Sequence, residues 1–437
     1  MRVLLAVHQF PPEFAAGTET LTLRVAQELA RRGYTVTVLA AGPSRRDLPP
    51  LSEHHVEGVR VLRLNPPAAP PFWRGGIVSS YWRPDLAVLL ETVLDMERPD
   101  LVHVFHLRRL TLELLYLCRR RRLSVVATLT DYWCCCPTGQ LSLPDLQLCA
   151  GPEPGSANCA RHLAARLVPP LQATPLAPWR WLMRIGGWAG LRRRPQEMDQ
   201  TFAACQVVLV GSETMAATLR RNGFAHWPVQ VCPHGVVATD QPTAPLRPTW
   251  QPGTRPARVG FIGTLRPAKG AHLLLEALQS WTGPALELRL YGSPLDDPGY
   301  AARLRCHAGR LPSRVTPVWM GTFPPAELDS VLGGLDVLVV PSLWIENSPL
   351  IVLQALAARL PVVAFDVEGI REQIDHDRTG VLVPLGEAPA LAEALLGLLQ
   401  QPGRLAALAG APRSLRSIQA YVTDLGAHYR RAAGALG

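Results

Sequence analysis

The feature that most constrains this chain is an alternation. Short runs dense in valine and leucine (residues 3–7, 34–39, 59–64, 101–105, 124–129 and 207–210) are separated by stretches whose apolar positions recur with helical spacing (18–32, 84–97, 109–122 and 212–221). A strand buried on both faces reads as an unbroken apolar run, and strand, helix, strand repeated in this way builds a parallel sheet with helical crossovers. Residues 238–256, ATDQPTAPLRPTWQPGTRP, are too rich in proline and threonine to sustain either period. The alternation then restarts over 257–262, 268–280, 286–291, 325–332, 336–340, 349–358, 361–365 and 388–399.

The expected class is therefore α/β, with two Rossmann-like, doubly wound domains facing a cleft that would hold the ligand. The expected boundaries are 1–237, a linker over 238–256, a second domain over 257–412, and a last helix within 413–437 packing back on the first domain. A chain of 437 residues is too long for one core, and 48% hydrophobic against 18% charged residues excludes disorder as a whole. The opening MRVLLAVHQFPP lacks the apolar length and cleavage site of a signal peptide and reads as a first strand. No apolar run reaches the roughly 20 residues of a membrane helix. Nine cysteines, an odd number without regular spacing, fit reduced thiols better than a secreted disulfide framework, so a cytoplasmic protein is expected. A net charge of +9 draws anions, whether nucleic acid, nucleotide phosphates or an anionic membrane face. No nucleic-acid reading module is recognisable, and no G-x-G-x-x-G follows the first strand as a dinucleotide oxidoreductase would require.

Lys269 is the only lysine among 44 basic residues. A coding bias that empties a chain of lysine leaves open whether this position needs a compact ammonium or survives by chance. It follows the expected strand 257–262 and a turn, so its ammonium and the Arg266 guanidinium would converge on an anion held there. Downstream, PSLWIENSPLIVLQALA (341–357) follows another buried strand. Ser348 suits an N-cap and Pro349 the first helical position, so a helix would begin here with free amides at its N-terminus, a seat for phosphate. Glu346, just before it, would accept hydrogen bonds from sugar hydroxyls beside that phosphate; the plainer alternative is a surface carboxylate.

Taken together, GTLRPAKG (263–270), PSLWIENSPLIVLQALA, PHGV (233–236), VEGIREQIDHDRTGVLVP (367–384) and the N-terminal PPEFAAGTETLTLRVAQELARRGYTVTVL closely resemble the retaining GT-B glycosyltransferases of family four, over nearly the whole chain. The resemblance implies a nucleotide-sugar donor bound mainly by the second domain and a glycan or lipid-linked acceptor on the first. Arg266 and Lys269 would hold the diphosphate, the amides near Leu350 and Ile351 the distal phosphate, Glu346 and Asn347 the donor sugar, and Gln354 the ribose. Gly17 and Thr18 would close over the phosphate, and His103 and His106 would stand near the reacting sugar with Glu346 as catalytic candidates. No metal or cofactor is expected, because cationic side chains and a helix dipole neutralise the leaving diphosphate.

The sequence departs from that pattern in four places. The glutamate pair E-x7-E reads Glu346 and Gln354, the first-loop Gly-Gly reads Ala16-Gly17, His-x-His reads His103 and Phe105, and a frequent His-Asp reads Thr130-Asp131. A non-catalytic sugar-nucleotide binder is the alternative these substitutions leave open.

Between residues 131 and 194 the periodicity is lost. The tract PWRWLMRIGGWAGLRRR (178–194) suits a membrane interface, hence a peripheral place at the inner membrane face, or an acidic partner, or tryptophans that simply pack. Cys136, Cys149, Cys159 and His162 offer three thiols and a Cys-x2-His step, which is either a tetrahedral zinc set or free thiols.

Overall fold

The computed structural model describes residues 1–14, 16–42, 48–66, 77–167, 178–236, 250–411 and 414–434, without the side chains of 164–167 and 178–187. The chain forms two compact units, one of residues 1–144, 149–235 and 418–437, the other of 145–148 and 236–417.

The first unit holds eight strands: β1 (Arg2–Val7), β2 (Thr35–Ala41), β3 (Leu51–Val56), β4 (Val59–Leu64), β5 (Leu101–Val104), β6 (Ser124–Leu129), β7 (Val207–Val210) and β8 (Val229–Val231). Their order is β3-β4-β2-β1-β5-β6-β7-β8, parallel throughout except for the β3/β4 pair. The central strands bury nearly every residue, as their Val/Leu/Ala content requires of a sheet covered on both faces. Because β2 lies on one side of β1 and β5 on the other, the winding reverses between β1 and β5, and the crevice at the carboxyl ends of those strands is where doubly wound sheets bind ligands. The helix Gly17–Arg31 starts just beyond β1. The last helix, Ile418–Gly434, belongs to this unit: the Ser124 hydroxyl donates to the Ala432 carbonyl at 2.9 Å, and the Tyr429 ring stands edge-on to His103.

The second unit has six parallel strands, β9 (Ala257–Ile262), β10 (Leu286–Tyr291), β11 (Val315–Gly321), β12 (Val337–Val340), β13 (Val362–Phe365) and β14 (Gly380–Val383), in the order β11-β10-β9-β12-β13-β14. Here the winding reverses between β9 and β12. One apolar cluster gathers Val259, Phe261, Leu288, Val339 and Phe365 with Leu391 and Leu395 of the helix Ala388–Gln400. Trp250 joins that cluster and donates its indole N–H to the Arg255 carbonyl at 2.8 Å. The expected linker is thereby shortened: its tail from 250 is packing of the second unit, and residues 238–249 lie outside the described residues.

Where periodicity was expected to be lost, the structure has a helix of 25 residues, Pro178–Phe202. Its sequence carries no apolar stripe at helical spacing, so no helical period shows. No described helix is long and apolar enough to cross a membrane.

Candidate functional site

In the second unit, three loops leave the carboxyl ends of β9, β12 and β13. The first makes a short 3-10 turn, Pro267–Lys269, and reverses through Gly270 in the left-handed region at φ 73°. A Cβ at Gly270 would collide with the Pro341 carbonyl oxygen, so only glycine lets the two loops touch backbone to backbone. The Leu343 N–H donates to the Ala268 carbonyl at 2.8 Å and locks them together. From the third loop, Gly369 lies against the Glu346 carbonyl oxygen so closely that a Cβ would not fit.

This scaffold brings Lys269 to Glu346, with Nζ 2.6 Å from Oε1. The same carboxylate oxygen accepts the Ser342 hydroxyl at 2.7 Å, and the ammonium lies 5.0 Å from the centre of the Trp344 ring. Glu346 is 4% exposed and Asn347 2%. Arg266 is exposed at the head of the same turn. The helix begins at Leu350 with Pro349 at the cap position and no side-chain cap. The expectation that Ser348 caps it is corrected: its hydroxyl accepts the Gln373 amide at 2.8 Å instead. The first amides, Leu350 and Ile351, are left uncapped beside a buried carboxylate and an ammonium, an arrangement that accepts an anion at the helix end and hydroxyls next to it. Gln354 lies half-buried one turn further on.

The first unit builds a second cluster at its own reversal. β1 ends before His8, β5 ends at Val104 and releases His106, and β6 ends before Thr130 and Asp131. The Arg108 N–H donates to His106 Nδ1 at 3.0 Å, so the ring proton sits on Nε2 and donates to Asp131 Oδ2 at 3.0 Å. Burial alone would raise the Asp131 carboxyl; the electrostatic attraction and hydrogen bond of His106, the Trp133 amide and Arg108 outweigh it and hold the carboxyl below its usual range. The His8 ring lies 4.2 Å from His106, centre to centre, and its Nε2 is 3.3 Å from Glu19 Oε1. Burial, helped by His106, pushes His8 well below the usual imidazole range, and burial raises Glu19. Glu19 also accepts the Ala16 N–H at 3.1 Å and so ties the start of the helix to His8. Gly17 is exposed as the first helical residue, and the Thr18 hydroxyl donates to Thr130 Oγ1 at 2.8 Å.

His103 is not part of that cluster. It is fully buried, with Nδ1 2.6 Å from the Tyr429 hydroxyl and Nε2 2.8 Å from Thr128 Oγ1, and burial pushes its pKa down to about 3. Both nitrogens are spent on packing partners, which corrects its expected catalytic placement. The Phe105 ring lies 4.2 Å from it, centre to centre and tilted by 35°, where the resemblance expected a second histidine. Sequence reasoning missed His8 and Glu19, which no spacing links to His106, and gave no role to Ser342 and Trp344 although both lie within the motif carrying Glu346. Cys136, Cys149, Cys159 and His162 line one small cavity, but no three His, Cys, Asp or Glu side chains among the described residues are gathered as a metal-binding group.

Two family descriptions match: Glycosyl transferases group 1 over residues 245–413, and Glycosyltransferase Family 4 over 15–133. A GDP-mannose-dependent alpha-mannosyltransferase of Mycobacterium tuberculosis is 33% identical over 190 residues, 43% of this chain and 46% of the relative. The chain spans between 35% and 50% of the length of the first curated relatives it matches. Among solved structures, sucrose-phosphate synthase from Thermosynechococcus elongatus aligns with a TM-score of 0.70 at 18% identity, over 99% of both chains. Anabaena HepE, in complex with UDP and glucose, aligns with a TM-score of 0.63 at 16% identity, over 99% of this chain and 98% of that one.

Proposed function

Since the chain belongs to the glycosyl transferases group 1 family and has the GT-B fold of two parallel-sheet domains, we propose that it moves a sugar from a UDP- or GDP-sugar to a hydroxyl of a glycan or lipid-linked acceptor, with retention of configuration. The observation that carries this reading is the Lys269–Glu346 pair at the reversal of the second sheet, beside an uncapped helix N-terminus. Paired as they stand, the two side chains neutralise each other. A diphosphate takes the Lys269 ammonium, joined by Arg266 and the amides of Leu350 and Ile351, and the Glu346 carboxylate it releases turns to the hydroxyls of the donor sugar, with Asn347 beside it. Gln354, neutral but still able to bond hydroxyls, serves the ribose.

As the glycosidic bond breaks, charge grows on the leaving phosphate, and fixed cationic donors stabilise it without a metal ion. The acceptor hydroxyl attacks on the face the diphosphate leaves, and the leaving phosphate takes its proton, so no protein nucleophile is required. The acceptor side falls to the first unit, where the Asp131-held His106 and its neighbour His8 offer polar partners for a hydroxyl. The test is nucleoside-diphosphate release from a panel of nucleotide sugars with glycan and lipid-linked acceptors, followed by the anomeric configuration of the product. Lys269→Ala removes a charge-assisted contact to phosphate, worth about 1.5–3 kcal/mol or roughly 10- to 100-fold in turnover. Undiminished transfer by a folded Lys269→Ala variant would sink the role given to the lysine; binding without transfer would make the chain a sugar-nucleotide binder.

A further inference from the structure

Residues 119–122 read Arg-Arg-Arg-Arg, and the fold splits the run in two. Arg120 and Arg121 turn to the helix Ala87–Glu97, where Arg120 Nη1 lies 3.6 Å from Glu91 Oε1 and Arg121 Nη1 lies 2.6 Å from Asp95 Oδ1. Arg119 and Arg122 instead line a cavity of about 180 Å³ at the amino ends of β6 and β7, the end of the sheet opposite to His106 and Asp131. Leu115, Leu123, Val125 and Cys205 give it an apolar lining. Gln206, also in the lining, spends its Oε1 on the Val125 N–H at 2.5 Å, which leaves N–H donors on its amide. No acidic side chain lines the cavity, and neither Arg119 nor Arg122 forms an ion pair among the described residues. Burial pushes the Cys205 thiol up to about 12, so it adds no negative charge. The helix Glu113–Arg120 ends in a Schellman motif: the Leu123 N–H donates to the Cys118 carbonyl at 2.9 Å and the Arg122 N–H to the Arg119 carbonyl at 3.2 Å. Arg122 holds the left-handed position of that motif, at φ 52°, which glycine takes without steric cost. Attraction of cations to a helix C-terminus accounts for arginines in the last turn, but not for a side chain at the position where glycine fits best.

We propose that this cavity binds a small phosphate monoester with an apolar body, held by Arg119 and Arg122. A phosphate monoester carries close to two negative charges at neutral pH, which matches two guanidiniums, and each planar fork can take two of its oxygens. Two guanidiniums sharing a cavity without an anion repel one another, so the ligand removes that repulsion while adding charge-assisted hydrogen bonds. The leucines and Val125 receive the ester's body, and the volume suits a compact one, since a dry cavity of roughly 150 Å³ already takes a benzene ring. The site shares no residue with the Lys269–Glu346 pair or with the His106 cluster, and the inference stands apart from glycosyl transfer.

The test is isothermal titration of the full chain with phenyl phosphate, inorganic phosphate and benzoate. Phenyl phosphate should bind more tightly than either of the others, because it alone offers both the double charge and the apolar body. Arg119→Ala and Arg122→Gly should each weaken it about 10-fold or more, whereas Arg120→Ala, at an arginine already paired with Glu91, should keep it. Arg122→Gly also relieves the left-handed backbone, so it should melt no lower than the wild type while losing the ligand, a combination that a merely structural arginine would not give. Failure of phenyl phosphate to saturate the wild type by about 10 mM, or full affinity in Arg122→Gly, would overturn the proposal. So would an equal loss in Arg120→Ala, which would mean unspecific attraction to the arginine run. Binding that Lys269→Ala abolishes and the arginine substitutions leave unchanged would place the phosphate in the second unit and overturn it as well.

Discussion

At the scale of the residue, the second unit's site rests on one ion pair with a double duty. Glu346 is buried, so losing its ammonium partner leaves, among the described residues, the Ser342 hydroxyl on the carboxylate, at a cost of about 1–3 kcal/mol. Lys269→Ala should therefore lower the melting temperature, and adding Glu346→Gln should restore most of it while donor affinity stays lost. If the double variant recovers affinity as well as stability, the lysine is structural. His103 makes a prediction of a different kind. Unfolded, its imidazole titrates near 6.5; folded, burial holds it at about 3. Across that window the unfolded chain binds the extra proton, so stability is intact above about 6.5 and falls as pH drops, by about 1.4 kcal/mol per pH unit until about 3. His8, also pushed down, acts in the same direction. Thermal melts from pH 7 to 5 should show less acid sensitivity in His103→Gln, a side chain that hydrogen-bonds but does not titrate; an unchanged slope would contradict the assignment.

At the scale of the element, legibility followed burial. The bounds of β4, β6, β7, β9 and β10 coincide with those expected from the sequence: β6 and β7, buried at every position, read as unbroken apolar runs, while β10, LELRLY, alternates buried leucines with half-buried polar residues. β3, an antiparallel pair at the sheet edge with sequence LSEHHV, and β8, of three residues, carry no such run and were not anticipated. The helix after Pro349 was anticipated, but Ser348 does not cap it: the helix begins at Leu350, and Gln373, distant in sequence, claims the Ser348 hydroxyl. The same limit hid the His8–Glu19 contact: a pairing across loops leaves no periodic trace. Loop-to-loop contact also gives a test. Gly369→Ala must push the Glu346 backbone aside, so affinity for a nucleotide sugar should fall several-fold more than affinity for the bare diphosphate, with circular dichroism unchanged. Equal losses for both ligands would show that the third loop does not hold the sugar-binding carboxylate.

At the scale of the whole molecule, two sheets of the same winding each place their polar cluster at the carboxyl ends of the strands where the strand order reverses. The matches to two family descriptions fall one on each unit. The last helix ties the chain's end to the first unit through Tyr421, Leu425 and Tyr429, all buried. Ending the chain after residue 417 should therefore unfold the first unit at lower temperature and leave the second unit's transition in place; a single, unshifted transition would contradict this division. The central claim, a nucleotide-sugar site built on Lys269 and Glu346, is tested most directly by isothermal titration of UDP, GDP, ADP and their sugar conjugates into the wild type, Lys269→Ala and Glu346→Gln. The account predicts that one nucleoside diphosphate binds, that Lys269→Ala weakens it at least 10-fold, about 1.4 kcal/mol, and that Glu346→Gln removes only the added affinity of the sugar conjugate. Binding of none of them, or binding that neither substitution alters, would contradict it.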